Sequence, residues 1–111
     1  MAVQVIMNQQ QGPLPISVEF NAPSDAPSYI SVHGSVWTQT ANQNIGIGVE
    51  LDGQAVGSAQ IFSNGSSTHR AVVPTYIVVK LTQGQHKLTL GPLTGATTSD
   101  SNDVFTAVLY Y

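Results

Sequence analysis

Apolar and polar residues alternate one by one through most of this chain, and this pattern limits the fold more than any other feature. Ile45, Ile47, Val49 and Leu51, for example, are separated by two glycines and a glutamate. Alternation with a period of two places every second side chain on the same face of a strand. No stretch of eleven residues shows the spacing of an amphipathic helix, so the chain is predicted to be all-β with half-buried strands.

Turn sequences rich in glycine, proline and asparagine separate the alternating stretches. Asp52-Gly53 suits the positive φ angles of a type I′ turn and predicts a hairpin. A second hairpin is expected over residues 78–90, with its turn near Gln83-Gly84. Eight or nine strands are expected, at about residues 2–7, 15–20, 29–38, 45–51, 55–62, 68–73, 75–81, 85–90 and 103–111. Short strands at this density indicate one β-sandwich or barrel domain over residues 1–111.

Composition excludes several classes of partner. Charged residues make up only 8% of the 111-residue chain, and its three Lys and Arg residues are too few for a surface that follows nucleic-acid phosphates. The absence of cysteine excludes disulfides and cysteine-based zinc sites. Short, interrupted apolar runs predict no transmembrane segment, and the first residues show no signal peptide. Localisation therefore stays open between the cytoplasm, nonclassical export and cell-surface exposure.

The last predicted strand is apolar on both faces. Phe105, Ala107 and Leu109 lie on one face, whereas Val104 and Val108 lie on the other. A strand of this kind needs cover on both sides. We therefore expect its outer face to pack against another subunit in a closed homo-oligomer. The alternative is that a loop or the N-terminal segment covers it.

The order of these signals resembles the jelly roll of the tumour necrosis factor and C1q proteins. The resemblance rests on the Asp-Gly hairpin, on the segment 81–90 and on the terminal strand Asp103-Val-Phe-Thr-Ala-Val-Leu-Tyr110. It covers roughly residues 29–111. It implies a jelly-roll β-sandwich that assembles as a compact homotrimer, with the last strand near the threefold axis.

A narrower resemblance is to small bacterial fucose-binding lectin domains of this fold. Ser67-Thr68-His69-Arg70 is similar to their Ser-Thr-Gly-Arg segment, and Asp100-Ser101 is similar to their Asp-Ser pair before the last strand. By this resemblance the sugar-binding residues, between neighbouring protomers, are Ser67, Thr68, Arg70, Asp100 and Ser101. The family's second arginine has no counterpart in the stretch 90–93, so the implied ligand is fucose or a related sugar.

The side chains themselves suit sugar hydroxyls. The guanidinium of Arg70 is a rigid set of donors and the carboxylate of Asp100 supplies acceptors, so the two groups could bracket a vicinal diol. Alternatively, Arg70 is solvated or forms a structural ion pair with Asp100 or Asp103. Trp37 is out of phase with the buried positions of its strand, which predicts either a stacking plate for a ligand or packing at an interface.

The remaining polar residues predict no metal, no cofactor and no catalysis. His86 is in phase with buried leucines, His33 is expected to be exposed, and no two histidines have metal-ligand spacing. The oxygen-rich segment 99–103 is interpreted as a solvated turn rather than a calcium loop. No Gly-x-Ser-x-Gly motif is present. The sequence thus predicts a lectin for neutral glycans, and the alternative is a structural or receptor-binding head domain of a phage tail fibre or an adhesin.

Overall fold

The computed structural model describes residues 1–111 and consists of nine strands without a helix. The strands are β1 (Val3–Gln11), β2 (Ile16–Ala22), β3 (Pro27–Val36), β4 (Gln43–Leu51), β5 (Gln54–Ser63), β6 (Arg70–Ala71), β7 (Thr75–Lys80), β8 (Gly84–Pro92) and β9 (Val104–Tyr110). Each corresponds to one predicted strand. β1 continues to Gln11, beyond the predicted end at residue 7. β6 is shorter than the predicted strand over residues 68–73, because only Arg70 and Ala71 pair with β3.

The strands form two antiparallel sheets. Sheet I has the order β1-β9-β3, with β7 and the short β6 both paired to the far side of β3. Sheet II has the order β2-β8-β4-β5. Successive strands repeatedly change sheet, so most neighbouring strands are distant in sequence; the hairpin of β4 and β5 is the exception. This arrangement is a jelly roll, which confirms the predicted fold class.

The core lies between the two sheets and follows the alternation of the sequence. The inward positions of β3, β4, β8 and β9 are fully or almost fully buried: Ile30, Val32, Val36, Ile45, Ile47, Val49, Leu88, Leu90, Phe105, Ala107 and Leu109. Their neighbours along each strand face outward. Aliphatic side chains of this kind supply most of the free energy that holds two sheets together.

The predicted hairpin over residues 78–90 is wrong, because β7 and β8 belong to different sheets. β7 pairs with β3 in sheet I, whereas β8 pairs with β2 and β4 in sheet II. Residues 81–83 cross from one sheet to the other, and Leu81 is buried in the core on the way. Gly84 begins β8 with φ of 120°, a conformation that favours glycine.

The predicted Asp52-Gly53 turn is confirmed and also holds β8 in place. The two residues have φ of 53° and 84°, as a type I′ turn requires. The Asp52 carboxylate accepts hydrogen bonds from the backbone N–H of Lys87 (2.8 Å) and from Nδ1 of His86 (2.6 Å). The hydrogen bond between His86 and Asp52 lowers the pKa of Asp52 and raises that of His86.

The outer face of sheet I carries a continuous apolar surface, which we call the apolar face. Tyr110 of β9 lies between Val3 of β1 and Tyr29 of β3, and Tyr29 in turn pairs with Val78 of β7. Met1, Val3, Val5, Tyr29, Tyr76, Val78 and Val104 are all exposed. The N-terminal strand lies beside β9 rather than over it, so neither it nor a loop covers this face.

Candidate functional site

One end of the sandwich gathers four connecting segments, which we call the loop end. These segments are residues 12–15, 37–42, 64–69 and 93–103. Hydrogen bonds join them in pairs: Gly12 N–H to the carbonyl of Asp103 (2.8 Å), Leu14 N–H to Oγ of Ser99 (2.9 Å), and Ser67 N–H to the carbonyl of Thr38 (2.7 Å). The two segments that carry the predicted sugar-binding residues therefore belong to the same end of the molecule.

A fully buried carboxylate, that of Asp103, organises the loop end. Its Oδ1 accepts hydrogen bonds from Oγ of Ser35 and from Nδ1 of His69, both at 2.6 Å. Its Oδ2 accepts the backbone N–H of Asp100 at 2.8 Å. A charge can be buried only when such donors replace the lost water. Asp103 thus fixes β3, the segment before β6 and the loop before β9 relative to one another.

His69 connects the two predicted binding segments. Its Nδ1 binds Asp103, its Nε2 lies 3.7 Å from Oδ2 of Asp100, and its ring packs on Trp37 with centroids 5.9 Å apart. The hydrogen bond to Asp103 raises the pKa of His69 above its ordinary value, and the charge of Asp100 acts in the same direction. Around neutral pH, the imidazole therefore favours its charged form more than a solvated histidine does.

His69, Asp100 and Asp103 are the one group of side chains in the structure that could share a metal ion. One ligand atom from each of His69, Asp100 and Asp103 lies within 4.8 Å of the others. The two oxygens of Asp103, however, already accept three hydrogen bonds from the protein. The protein's own donors therefore account for the cluster, and the prediction of no metal is kept as a prediction.

The predicted residues Ser67 and Thr68 are exposed at the loop end. Ser67 has φ of 58° and is held by its backbone hydrogen bond to Thr38. The hydroxyl of Thr68 donates to the carbonyl of Ser66 at 3.3 Å. The hydroxyl of Ser67 has no partner and is free to bind a ligand.

Asp100 and Ser101 lie in the loop before β9, with Ser101 exposed and Asp100 half-buried. Oδ1 of Asp100 accepts the backbone N–H of Asn102 at 2.8 Å. Its Oδ2 accepts no hydrogen bond, and the nearest charged partner is the His69 imidazole at 3.7 Å. One carboxylate oxygen of Asp100 is therefore available to accept a hydrogen bond from a ligand.

Arg70, the remaining predicted residue, forms no ion pair with Asp100 or Asp103; His69 lies against both carboxylates instead. Arg70 pairs with Val36, while the next residue, Ala71, pairs with Ser35. Because cross-strand partners share a face, the half-buried Arg70 lies on the face of the buried Val36, opposite to Ser35 and its hydrogen bond to Asp103. Its guanidinium makes no hydrogen bond within the chain, so all of its donors remain available.

Sequence reasoning missed the central roles of His69 and Asp103. In the sequence, His69 stands out only as a neighbour within the Ser-Thr-His-Arg segment. Asp103 stands out only as part of the oxygen-rich turn, as the start of the last strand and as an ion-pair partner for Arg70. Their contact joins positions 34 residues apart, and no spacing rule encodes it. Trp37 is half-buried against His69, and its indole N–H has no acceptor. Beside it, Thr38, Thr40, Gly95 and Thr98 line a polar cleft of about 180 Å³.

The sequence matches no protein-family profile and no curated protein. The fold, in contrast, is similar to solved structures. Eiger TNF from S. frugiperda has a TM-score of 0.59 at 8% identity, over 98% of this chain and 85% of that one. The tripod from the baseplate of bacteriophage Tuc2009 has a TM-score of 0.59 at 16% identity, over 97% and 62%. The CBM36-1 domain of a multidomain xylanase from the hindgut metagenome of Trinervitermes trinervoides has 0.53 at 7% identity, over 99% and 98%.

These similarities establish the fold as a TNF-like jelly roll. Other matched proteins are much longer: this chain spans 12% of latent PorU from Porphyromonas gingivalis and 23% of an exo-beta-1,3-galactanase from Phanerochaete chrysosporium. In such proteins the jelly roll makes up only a small part of the chain. The structure contains no helix with the length and hydrophobicity needed to cross a membrane.

Proposed function

We propose that this protein is a lectin that binds neutral glycans, with fucose or a related sugar as the ligand, at the loop end. The observation that carries the proposal is the set of unused hydrogen-bonding groups in the loop-end segments and in Arg70, which directly follows one of these segments at the start of β6. The Arg70 guanidinium, the Ser67 hydroxyl and one oxygen of Asp100 have no hydrogen-bond partner in the chain. Sugar hydroxyls are neutral and act as both donors and acceptors, so a guanidinium, a carboxylate and a hydroxyl complement them.

The fold supports this function. The CBM36-1 domain of a xylanase has the same jelly roll over nearly its whole length. Low charge fits as well, since the chain carries only three Lys and Arg residues and no strong field that would attract ionic ligands. In this proposal the protein binds its ligand without catalysing a reaction.

Replacing Arg70 by alanine is expected to abolish sugar binding while leaving the fold intact, because the guanidinium makes no hydrogen bond within the chain. The measurement is a glycan array with labelled protein, followed by calorimetric titration of the best ligand. Lys80→Ala is the control, because it removes an exposed cation on β7. Unchanged binding by Arg70→Ala would remove Arg70 from the site, and a blank array for the wild-type protein would contradict the lectin proposal.

We further propose that three chains assemble through the apolar face, so that each sugar site lies between two protomers. The exposed valines and tyrosines of this face give the chain a large apolar surface to bury. Weak individual sites on one trimer would then act together on a multivalent glycan.

Val78→Glu is expected to convert the trimer to a monomer, because it places a charge on a side chain that is 68% exposed in the single chain and buried in the assembly. Light scattering coupled to gel filtration would show a mass of three times 11.7 kDa for the wild type and of one chain for the variant. Phe62→Glu is the control, since Phe62 is 53% exposed on sheet II, away from the apolar face. A monomeric wild-type protein, or equal dissociation by both variants, would contradict this assembly.

A second candidate is a structural or receptor-binding head domain of a phage tail fibre or adhesin. The observation that favours it is the similarity to the baseplate tripod of bacteriophage Tuc2009. The two candidates differ in one result: a confirmed trimer that binds no glycan on the array would support the head domain.

A further inference from the structure

The largest cavity of the molecule lies on the outer face of sheet II, and two of its lining residues, Pro15 and Leu93, come from the loop-end segments. It is an open trough of about 430 Å³ above strands β4 and β8. Gly48 of β4 and Gly91 of β8 form its floor. Pro15, Pro92 and Leu93 line the trough together with Ala55 of β5. The volume is within the range of known ligand sites.

The floor glycines are cross-strand partners, and neither is required by the fold. Gly48 pairs directly with Gly91, and neither residue has a positive φ. A Cβ built on Gly91 would meet no atom within 4 Å, and one built on Gly48 would meet its nearest atom, the carbonyl oxygen of Gly91, at 3.8 Å. The β4–β8 ladder is regular here, and the irregularity of β4 lies between Val49 and Glu50, on the side of β5.

Glycine inside a strand destabilises it, because the chain loses more conformational freedom on folding and gains no side-chain packing. Other glycines of this fold have a visible reason. Gly34 makes room for the ring of Phe105, and Gly53 and Gly84 have positive φ. The pair Gly48 and Gly91 has no such reason within the chain, and glycines at positions of this kind often mark a close approach by a ligand.

The chemistry of the trough selects the class of molecule. Glu50 is the one charged residue in the lining, and its carboxylate forms neither a hydrogen bond nor an ion pair with the protein. Thr89, opposite Glu50 in the ladder, adds a hydroxyl that shares a hydrogen bond of 2.9 Å with Ser17. The lining contains no cation to hold an anionic ligand. It offers a flat peptide floor to an apolar ring face and oxygen acceptors to hydroxyl groups.

We infer that the trough is a second binding site, which takes internal units of a neutral saccharide chain lying along β4 and β8. The sugar rings rest on the peptide planes at Gly48 and Gly91, and hydroxyl groups donate to the Glu50 carboxylate. None of the residues that line the trough is among the five predicted sugar-binding residues, where a terminal sugar is proposed to bind. A protein with both sites would bind the terminal sugar of one glycan and the internal units of another.

The test is a substitution that places a side chain in the trough and leaves the fold intact. Gly91→Thr adds a β-branched side chain at an open strand position, so it is expected to raise the melting temperature or leave it unchanged while lowering the affinity for the ligand at least about tenfold. The probes are neutral β-linked glucose, xylose, mannose and galactose oligosaccharides. Binding is followed by ¹⁵N NMR at the amide signals of Gly48 and Gly91. Gln85→Thr, on the same face of β8 outside the trough, is the matched control.

The expected result is that one oligosaccharide shifts both glycine signals in the wild type, in Gln85→Thr and in Arg70→Ala, but shifts nothing in Gly91→Thr. If the shifts of the two glycine signals persist in Arg70→Ala, the trough binds its ligand without the sugar site at the loop end. Either of the two proposed sites can therefore be disproved without the other. No shift from any probe at millimolar concentration, or an undiminished response in Gly91→Thr, would overturn the inference. Glu50→Gln keeps an acceptor and is expected to retain most of the affinity. Complete loss of binding in Glu50→Gln would show that the negative charge of Glu50, rather than an acceptor oxygen, is required, and it would overturn the assignment of Glu50 as an acceptor for sugar hydroxyls.

Discussion

Phe105→Ala is expected to lower the free energy of unfolding by about 3–5 kcal/mol, a large part of the stability of a domain of this size. Phe105 is fully buried on β9, the strand between β1 and β3 in sheet I, and is the largest of the fully buried side chains. Truncation leaves a cavity beside Gly12 and Gly34, whose backbones approach the ring closely. Denaturation in urea measures the loss.

Phe62→Ala is the matched control for that substitution. Its ring is 53% exposed on β5, so the same truncation is expected to cost less than about 1 kcal/mol. If Phe105→Ala fails to fold, Phe105→Leu removes less volume and is expected to cost about 1–2 kcal/mol. Equal losses at Phe62 and Phe105 would contradict the placement of Phe105 in the core.

Gly34 provides an independent check on the same contact. A Cβ on Gly34 would lie 2.9 Å from Cε1 of Phe105, so Gly34→Ala overpacks the core and is expected to cost about 1–3 kcal/mol. In the Phe105→Leu background the added methyl has room, and the two substitutions together should cost less than the sum of their separate effects.

Local sequence determined most of the fold but not the pairing of its strands. The alternation of β3 and β4 depends only on neighbouring residues, so it could be read directly, as could the positive φ of Asp52 and Gly53. The segment 78–90 has the same local appearance as a hairpin. Its strands separate into different sheets because Leu81 is buried between the layers, and that preference exists only once both sheets have formed.

In the candidate site, too, local sequence indicated the segments but not the contacts between them. The resemblance to small lectins pointed to Ser67, Thr68, Arg70, Asp100 and Ser101, and the first two lie at the same end of the sandwich as the last two. The residue that joins these segments is His69, and the carboxylate that holds it is the buried Asp103. A buried ionic contact between distant segments has no local signature, because its partners are selected by the fold.

Asp103→Ala is expected to lower the free energy of unfolding by about 2–4 kcal/mol, because it removes the acceptor of Ser35, of His69 and of the Asp100 backbone together. Asp25→Ala is the control. Asp25 is exposed and accepts a single hydrogen bond, from the backbone N–H of Gln83, so its loss is expected to cost less than about 1 kcal/mol. Urea denaturation of both variants provides the comparison, and equal effects would contradict the structural role of Asp103.

The contribution of Asp103 to the free energy of unfolding should depend on pH, and the ionisation of His69 determines whether it rises or falls with pH. The hydrogen bond that His69 donates to Asp103 raises the pKa of His69 in the folded protein above the ordinary value of 6.5. A raised histidine pKa contributes stability that is fully present below the unfolded pKa and is lost as pH rises through the folded pKa. The stability difference between the wild type and Asp103→Asn is therefore expected to be larger at about pH 6 than at about pH 8.

The second histidine with a raised pKa, His86, does not obscure this difference, since its partner Asp52 is present in both proteins and its contribution cancels. NMR titration of the imidazole signals gives the direct measurement: the pKa of His69 should fall toward 6.5 in Asp103→Asn, while that of His86 stays raised. His69 is 40% exposed, so solvent screening keeps its part of the stability difference below about 1 kcal/mol. A His69 pKa that is unchanged in Asp103→Asn would show that the buried carboxylate does not control the imidazole at the centre of the loop end.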